Sequence, residues 1–428
     1  MISKQIDWKA NSNPTNLSRR IIMDDKKKDS AVTYQEIGEF SEKLRSMGKK
    51  AFEEMKPAIE EIEEEQTRRN LEGQTVRIGK SQISTIVEEF WQYYAQFSSQ
   101  VLPKRDVYLS SENMELKIMV LLNLLQEFYK ERIYPPSSRF PIVHFRYFGG
   151  KTKENKKGKI FLVADTHGSF KDTVKMIKHF SMEIEKAKSS NVDVKIVFIG
   201  DFVDRNELDI HNILYIITFN LKYPNNVILL RGNHEEVTIN ANYGFGKNVM
   251  DRFSKILFAQ FNNIFKDLPL LVYFHTLEGN ILCLHGGIPI ISENNGEKFS
   301  IPDLNAWEFK NRSIYIDDMD PVSQQLLWND PMTDESNNIK FLPNRRGLGY
   351  IFGKEVFEEF SKKNNVQLVF RGHQVFPEGI RKFFDGSFVS FFSATEYSKN
   401  IIRARIIEID SENIYNYKVI EIQKELPG

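Results

Sequence analysis

A single cysteine, Cys283, among 428 residues rules out an intrachain disulfide and points to a reducing compartment. Excess charge is missing too. The chain has 58 basic and 58 acidic side chains, so bulk electrostatics give no reason to expect a nucleic-acid or acidic-membrane partner. No apolar run approaches the ~18 residues that cross a bilayer. The polar stretch Met1–Asn13 lacks the apolar core of a signal peptide, and there is no internal repeat. Apolar and charged fractions of 41% and 27% are those of an ordinary folded protein, and the length suits one large domain with a smaller one. The expectation is a cytoplasmic protein with no nucleic acid and no membrane as partner.

Along the chain, residues 1–32 are polar and end in a mixed-charge run, Asp24 to Asp29, which reads as a solvated, flexible tail. Thr33 and Glu36 form a capping box that opens a helical region over 33–134. Apolar stripes recur at helical spacing in Ile37, Phe40, Leu44 and Met47, in Ile83 to Phe97, and in Ile118 to Tyr129. Pro135 and Pro136 end the last helix. A linker over 135–157, lysine-rich at its end, leads to a unit over 158–428. There, β-branched runs (160–163, 194–199, 227–230) alternate with helical stretches (171–187, 207–221, 246–264). That alternation predicts an α/β fold. Later strands over 270–274, 280–284, 366–370, 387–392 and 402–409, partly without helices between them, predict a mixed sheet or two packed sheets.

Each of the first three strands runs into a turn bearing metal-capable side chains: ADTHG (Asp165, His167), GDFVDRN (Asp201, Asp204, Arg205) and RGNHE (Asn233, His234). LHGG with His285 and RGHQ with His373 follow two later strands. Ligands gather at the carboxyl ends of strands in open α/β sheets, so these turns should converge. A lone histidine is usually a core residue and a lone Asp after a strand usually a cap. Yet four of the eight histidines fall in these turns, each beside Gly, Asp or Asn. Imidazole, carboxylate and amide donors together suit Mn, Fe or Zn better than Ca or Mg. Two metals ~3.5–4 Å apart can hold a phosphate and activate a water for in-line attack. Asp165 and His167 suit one metal; Asn233, His285 and His373 suit the other; Asp201 is placed to bridge them.

The order ADTHG, GDFVDRN, GNHE, HGG, RGH resembles the phosphoprotein phosphatase family of serine/threonine phosphatases, within the calcineurin-like metallophosphoesterases. The likeness extends to NYGF (242–245), LLWNDP (326–331), NRRGLGYIFG (344–353) and SATEYS (393–398), and covers about 158 to 410. The resemblance implies a mixed-sheet β-sandwich flanked by helices, here with an N-terminal helical region. It implies two divalent ions, Mn and/or Fe with Zn as the alternative, held by Asp165, His167, Asp201, Asn233, His285 and His373. His234 falls on the general acid and Asp204 on the carboxylate that orients it. Arg205, Arg346, Asn233 and Tyr397 fall on phosphate-binding positions. The implied activity is phosphomonoester hydrolysis on a phosphoprotein substrate. Dinucleoside polyphosphate hydrolysis on the same centre and a non-catalytic scaffold are the alternatives.

Departures are Ala164 and Asn206 for two glycines, His211 for a glutamate, and SATEYS for SAPNYC. Asn tolerates positive φ, so the turn at Asn206 can survive. The helical region resembles no family, and a regulatory partner is one expectation for it. Its stripes must be buried against something, and the helix around Ile118–Tyr129 is expected to dock on the catalytic unit.

Overall fold

The computed structural model describes residues 80–103, 113–130, 141–147, 157–293, 298–309, 312–334 and 339–426, besides positions 53 and 57. The 1–32 tail, the capping box at Thr33 and Glu36 and the first expected helix lie outside the described residues.

The strands of the two main sheets are β1 (Ile142–Arg146), β2 (Lys157–Val163), β3 (Val192–Phe198), β4 (Val227–Leu229), β5 (Leu271–His275) and β6 (Asn280–Leu284). They continue with β7 (Leu368–Arg371), β8 (Ile380–Phe383), β9 (Phe388–Phe391), β10 (Arg405–Asp410) and β11 (Asn413–Glu421). One sheet has the order β11-β10-β2-β3-β4, with β2, β3 and β4 parallel. The other has the order β1-β5-β6-β7-β9-β8. Side chains alternate between faces along each strand. Ile160, Leu162, Val197 and Ile199 therefore point into the space between the sheets, against Val272, Cys283, Phe370 and Val389. Phe161, Val163, Ile196 and Phe198 point outward against helices. The result is a helix-flanked sandwich.

Helices α1 (Lys80–Ala95), α2 (Met114–Phe128), α3 (Phe170–Ala187), α4 (Asp209–Lys222) and α5 (Lys255–Phe265) form the layer over the first sheet. In α4 every residue from Asp209 to Asn220 is buried. A helix apolar on most faces needs neighbours all round, and α1 and α2 supply them: Trp91 packs on Tyr215 and Phe219 at ring distances of 5.9 and 6.3 Å. Gln126 donates to Asp267 at 2.7 Å, and Gln260 to Asn123 at 2.7 Å. The Tyr129 hydroxyl accepts from Leu229 N at 2.9 Å and faces Leu229 O at 3.3 Å, against the edge of β4 that pairs with no strand among the described residues. Both described helices of the 33–134 region are thus built into the core that covers the catalytic sheet.

Three strands of the two main sheets differ from expectation, one of them β8, which pairs antiparallel with β9. Residues 142–146 lie inside the stretch expected as linker, yet form β1, paired in parallel with β5. Only Ile142 and Val143 of its five residues are buried, so its apolar run is too brief to stand out between the prolines before it and the lysines that follow. β11, at the opposite end of the other sheet, pairs antiparallel with β10 beyond the last strand expected.

Candidate active site

All five chemistry-bearing turns meet at one edge of the sandwich. His167, Asp201 and His234 form one group of donor atoms within 4.8 Å of one another, and Asp201, His285 and His373 form a second. The backbone is bent to achieve this. His167, Asp201, Asp204, Arg205 and His373 all have positive φ, which costs of order 1–3 kcal/mol each and survives only where the surroundings impose it. A methyl group on Gly372 would collide with Asp165 Oδ1, and one on Gly232 with Asp201, so both turns need glycine for the chain to pass this close to a carboxylate.

Hydrogen bonds set which ring nitrogen faces inward. His285 Nδ1 donates to Ile199 O at 2.9 Å. Its Nε2 lone pair then faces Asn233 Oδ1 at 2.9 Å and Asp201 Oδ1 at 3.3 Å. His167 Nδ1 donates to Val203 O at 3.0 Å, leaving Nε2 3.3 Å from Asp201 Oδ2 and 3.8 Å from Asp165 Oδ2. His373 Nδ1 meets Asn233 Oδ1 at 2.8 Å, while its buried Nε2 has no hydrogen-bond partner. The Nε2 lone pairs of His167 and His285 thus both face Asp201. Burial holds the His167, His285 and His373 imidazoles well below their ordinary pKa, hence neutral. Burial likewise pushes Asp165 up to about 7, and burial with Asp165 and Glu235 pushes Asp201 well above the carboxylate range. Neutral imidazoles, an amide oxygen and two carboxyl groups whose ionised forms burial disfavours are a donor set that divalent cations fit, since a cation would offset the charge that burial penalises.

The remaining site residues surround this cluster. His234 Nδ1 is 2.6 Å from Asp204 Oδ2, and Phe245 N donates to the other Asp204 oxygen at 2.9 Å. The Asp204 carboxylate does not dominate His234. Burial, with Arg205 and Arg346 nearby, holds that imidazole well below its usual pKa, and burial pushes Asp204 up to about 7. The Arg205 guanidinium lies over the Tyr243 ring at 4.2 Å and the Tyr397 ring at 5.5 Å. Tyr397 also stands 5.0 Å from the His167 ring. Arg346 Nε donates to Asp330 at 2.9 Å. Every site residue expected from the sequence is at this edge.

Residues 158–377 match the calcineurin-like phosphoesterase family. The chain belongs to that family. Serine/threonine-protein phosphatase BSL2 of Arabidopsis thaliana is 32% identical over 247 residues, 56% of this chain but 23% of its own length. The chain therefore spans about a quarter of that curated relative. A protein serine/threonine phosphatase from Saccharomyces cerevisiae with similarity to human phosphatase PP5 superposes with a TM-score of 0.52 at 22% identity. That match covers 75% of this chain and 88% of the other and establishes the common fold.

Some residues of this phosphoesterase site hold other residues in place and carried no assigned role in the sequence. Glu235 accepts from the N–H groups of Asp201, Phe202 and Gly232 at 2.7, 2.8 and 2.9 Å. Asp330 joins Arg346 to the fully buried Arg371 at 3.0 Å. Asp172 accepts from Ser169 and from Thr395, tying the ADTHG turn to SATEYS. For Glu235, Asp330 and Arg371 the signal was membership of the motif strings GNHE, LLWNDP and RGH; Asp172 lies in none of the motif strings. The turn at Asn206 survives differently from expectation. Asp204 and Arg205 take the positive φ values, and Asn206 Oδ1 instead accepts from Leu208 N at 3.3 Å.

Proposed function

We propose that this phosphoesterase is a protein serine/threonine phosphatase working on a dinuclear metal centre. The observation that carries the reading is the convergence of donor atoms from His167, Asp201, Asn233, His285 and His373, with the His234–Asp204 pair beside it. Asp165 and His167 would hold one cation and Asn233, His285 and His373 the other, with Asp201 offering an oxygen to each. The two ions, Mn and/or Fe with Zn as the alternative, supply Lewis-acid stabilisation and an activated water. Arg205 and Arg346 take the phosphate oxygens through charge-assisted donors, with Asn233 and Tyr397 completing the clamp. A phosphate dianion there offsets the two positive charges that depress His234. The imidazole can then carry the proton it delivers to the leaving alkoxide. Asp204 engages Nδ1, so Nε2 is the delivering atom.

The protein substrate is supported by the named activity of the Arabidopsis relative, and a cytoplasmic setting by the lone buried Cys283. Among the described residues no helix is long and apolar enough to cross a membrane. The test is hydrolysis of an aryl phosphomonoester and of a phosphoserine peptide before chelation, after it, and after Mn is restored. Loss and recovery of both activities is expected; equal turnover in metal-stripped protein overturns the reading.

A further inference from the structure

Two of the metal-capable turns run directly into helices: 165–169 into α3 at Phe170, and 201–208 into α4 at Asp209. Helix α1 lies across both starts. The Tyr94 hydroxyl is 3.3 Å from His211 Nδ1, in the first turn of α4. The Tyr94 ring stands 5.6 Å from Phe170, 6.0 Å from His211 and 5.0 Å from Tyr215. Tyr93 stacks on His211 at 6.4 Å, and Phe97 meets Phe170 edge-on at 5.9 Å. The two helix starts are also tied to each other. Asn212 donates to Thr166 at 2.9 Å and to Phe202 O at 2.8 Å, and Thr173 donates to Asn212 at 2.6 Å. Backbone bonds join the turns themselves: His167 N and Gly168 N donate to Asp201 O and Phe202 O, both at 2.9 Å.

His211 is also where the chain departs from the glutamate of the signature it resembles. At 1% exposure among aromatic rings, an imidazole can pair with a tyrosine hydroxyl as a neutral group, whereas a carboxylate there would be a desolvated charge. The imidazole and the helix that covers it are complementary. Four of the residues these turns carry, His167, Asp201, Asp204 and Arg205, sit at positive φ, and such geometry persists only under constraint from its surroundings.

We propose that Tyr94 and His211 are positioning residues: their contact clamps the starts of α3 and α4, and so makes α1 a working part of the phosphoesterase site. The catalytic consequence rests on the proposed metal-dependent function; the mechanical one rests on the packing alone. Tyr94→Phe and His211→Phe each keep a ring and remove the contact, and the double substitution completes a cycle. In the full-length, metal-free chain, hydrogen exchange at the Thr166, His167 and Gly168 amides should quicken roughly fivefold in each variant. The double variant should be no faster than the single ones. With Mn, turnover of an aryl phosphate should fall by a similar factor at unchanged KM and melting temperature.

Exchange that quickens only within α1, or single effects that simply add, overturns the clamp. Lowered melting with unchanged turnover overturns it as well and leaves plain core packing. If Tyr94→Phe does not fold, His211→Phe gives the same exchange readout alone. An unsubstituted chain without phosphatase activity would refute the function instead, and the exchange comparison would still decide the clamp.

Discussion

Asp201 is the residue on which both halves of the site lean. One of its oxygens faces His167 at 3.3 Å and the other faces His285 at 3.3 Å. Asp201→Asn should therefore strip both ions, because a bridging carboxylate serves each of them; elemental analysis still showing two metals per chain would refute the bridge. His234→Asn should retain both metals and slow turnover by roughly 10²–10⁴, the usual contribution of a general acid. Near-normal hydrolysis of an alkyl phosphoserine by that variant would remove the acid role. Arg346 is only partly buried and anchored by one bond to Asp330. Arg346→Ala should thus lower kcat/KM while leaving the thermal melt close to that of the parent; full kcat/KM would remove the clamp. At this scale the sequence was most legible where a residue touches the reacting centre, since chemistry restricts the residue type there. Glu235, Asp330 and Arg371 were illegible as roles, because each holds another residue, Glu235 by backbone N–H groups and the other two by side chains, and that relation exists only in space.

The strand–helix rhythm of 158–410 was readable because its apolar runs are long, and because strand alternation (Phe161 out, Leu162 in) divides one sequence between two cores. β1 was hidden by brevity. The reach of α1 and α2 over the catalytic sheet was only half visible. Amphipathic stripes announce that a helix must be covered, not what covers it. The near-total burial of α4 is the complementary sign, and Ile210 to Phe219 could have been read as a helix needing partners on every side. Phe90 in α1 is fully buried in the shared core. Phe90→Ala should cost roughly 3–5 kcal/mol of unfolding free energy in a denaturant titration. A cost below about 1 kcal/mol would mean that α1 is peripheral, against the packing described.

Taken whole, the molecule also carries a pair of histidines on the far sheet, away from the phosphoesterase edge. His275 Nδ1 donates to Asn280 at 2.9 Å, so its Nε2 accepts from His144 Nδ1 at 2.9 Å. Burial, then His275 and Arg146, lower His144 to about 4. The unfolded chain binds a proton near pH 6.5, so this pair contributes stability that is present above about 6.5 and lost as pH falls toward 4. Buried carboxylates titrate as well, so the readout is a difference: His144→Phe should flatten the fall in melting temperature between those pH values. An unchanged slope would show the pair to be silent.

Tyr129 has a consequence for behaviour in a crowded solution. Its hydroxyl occupies both backbone groups of Leu229 at the open margin of a five-stranded sheet. A chain beginning near residue 140 would present that margin bare, flanked by the apolar surface that α1 and α2 now cover. Bare strand margins recruit further strands from other molecules. Beyond melting earlier, the shortened chain should self-associate, with light scattering that rises with protein concentration while the 428-residue chain stays monodisperse.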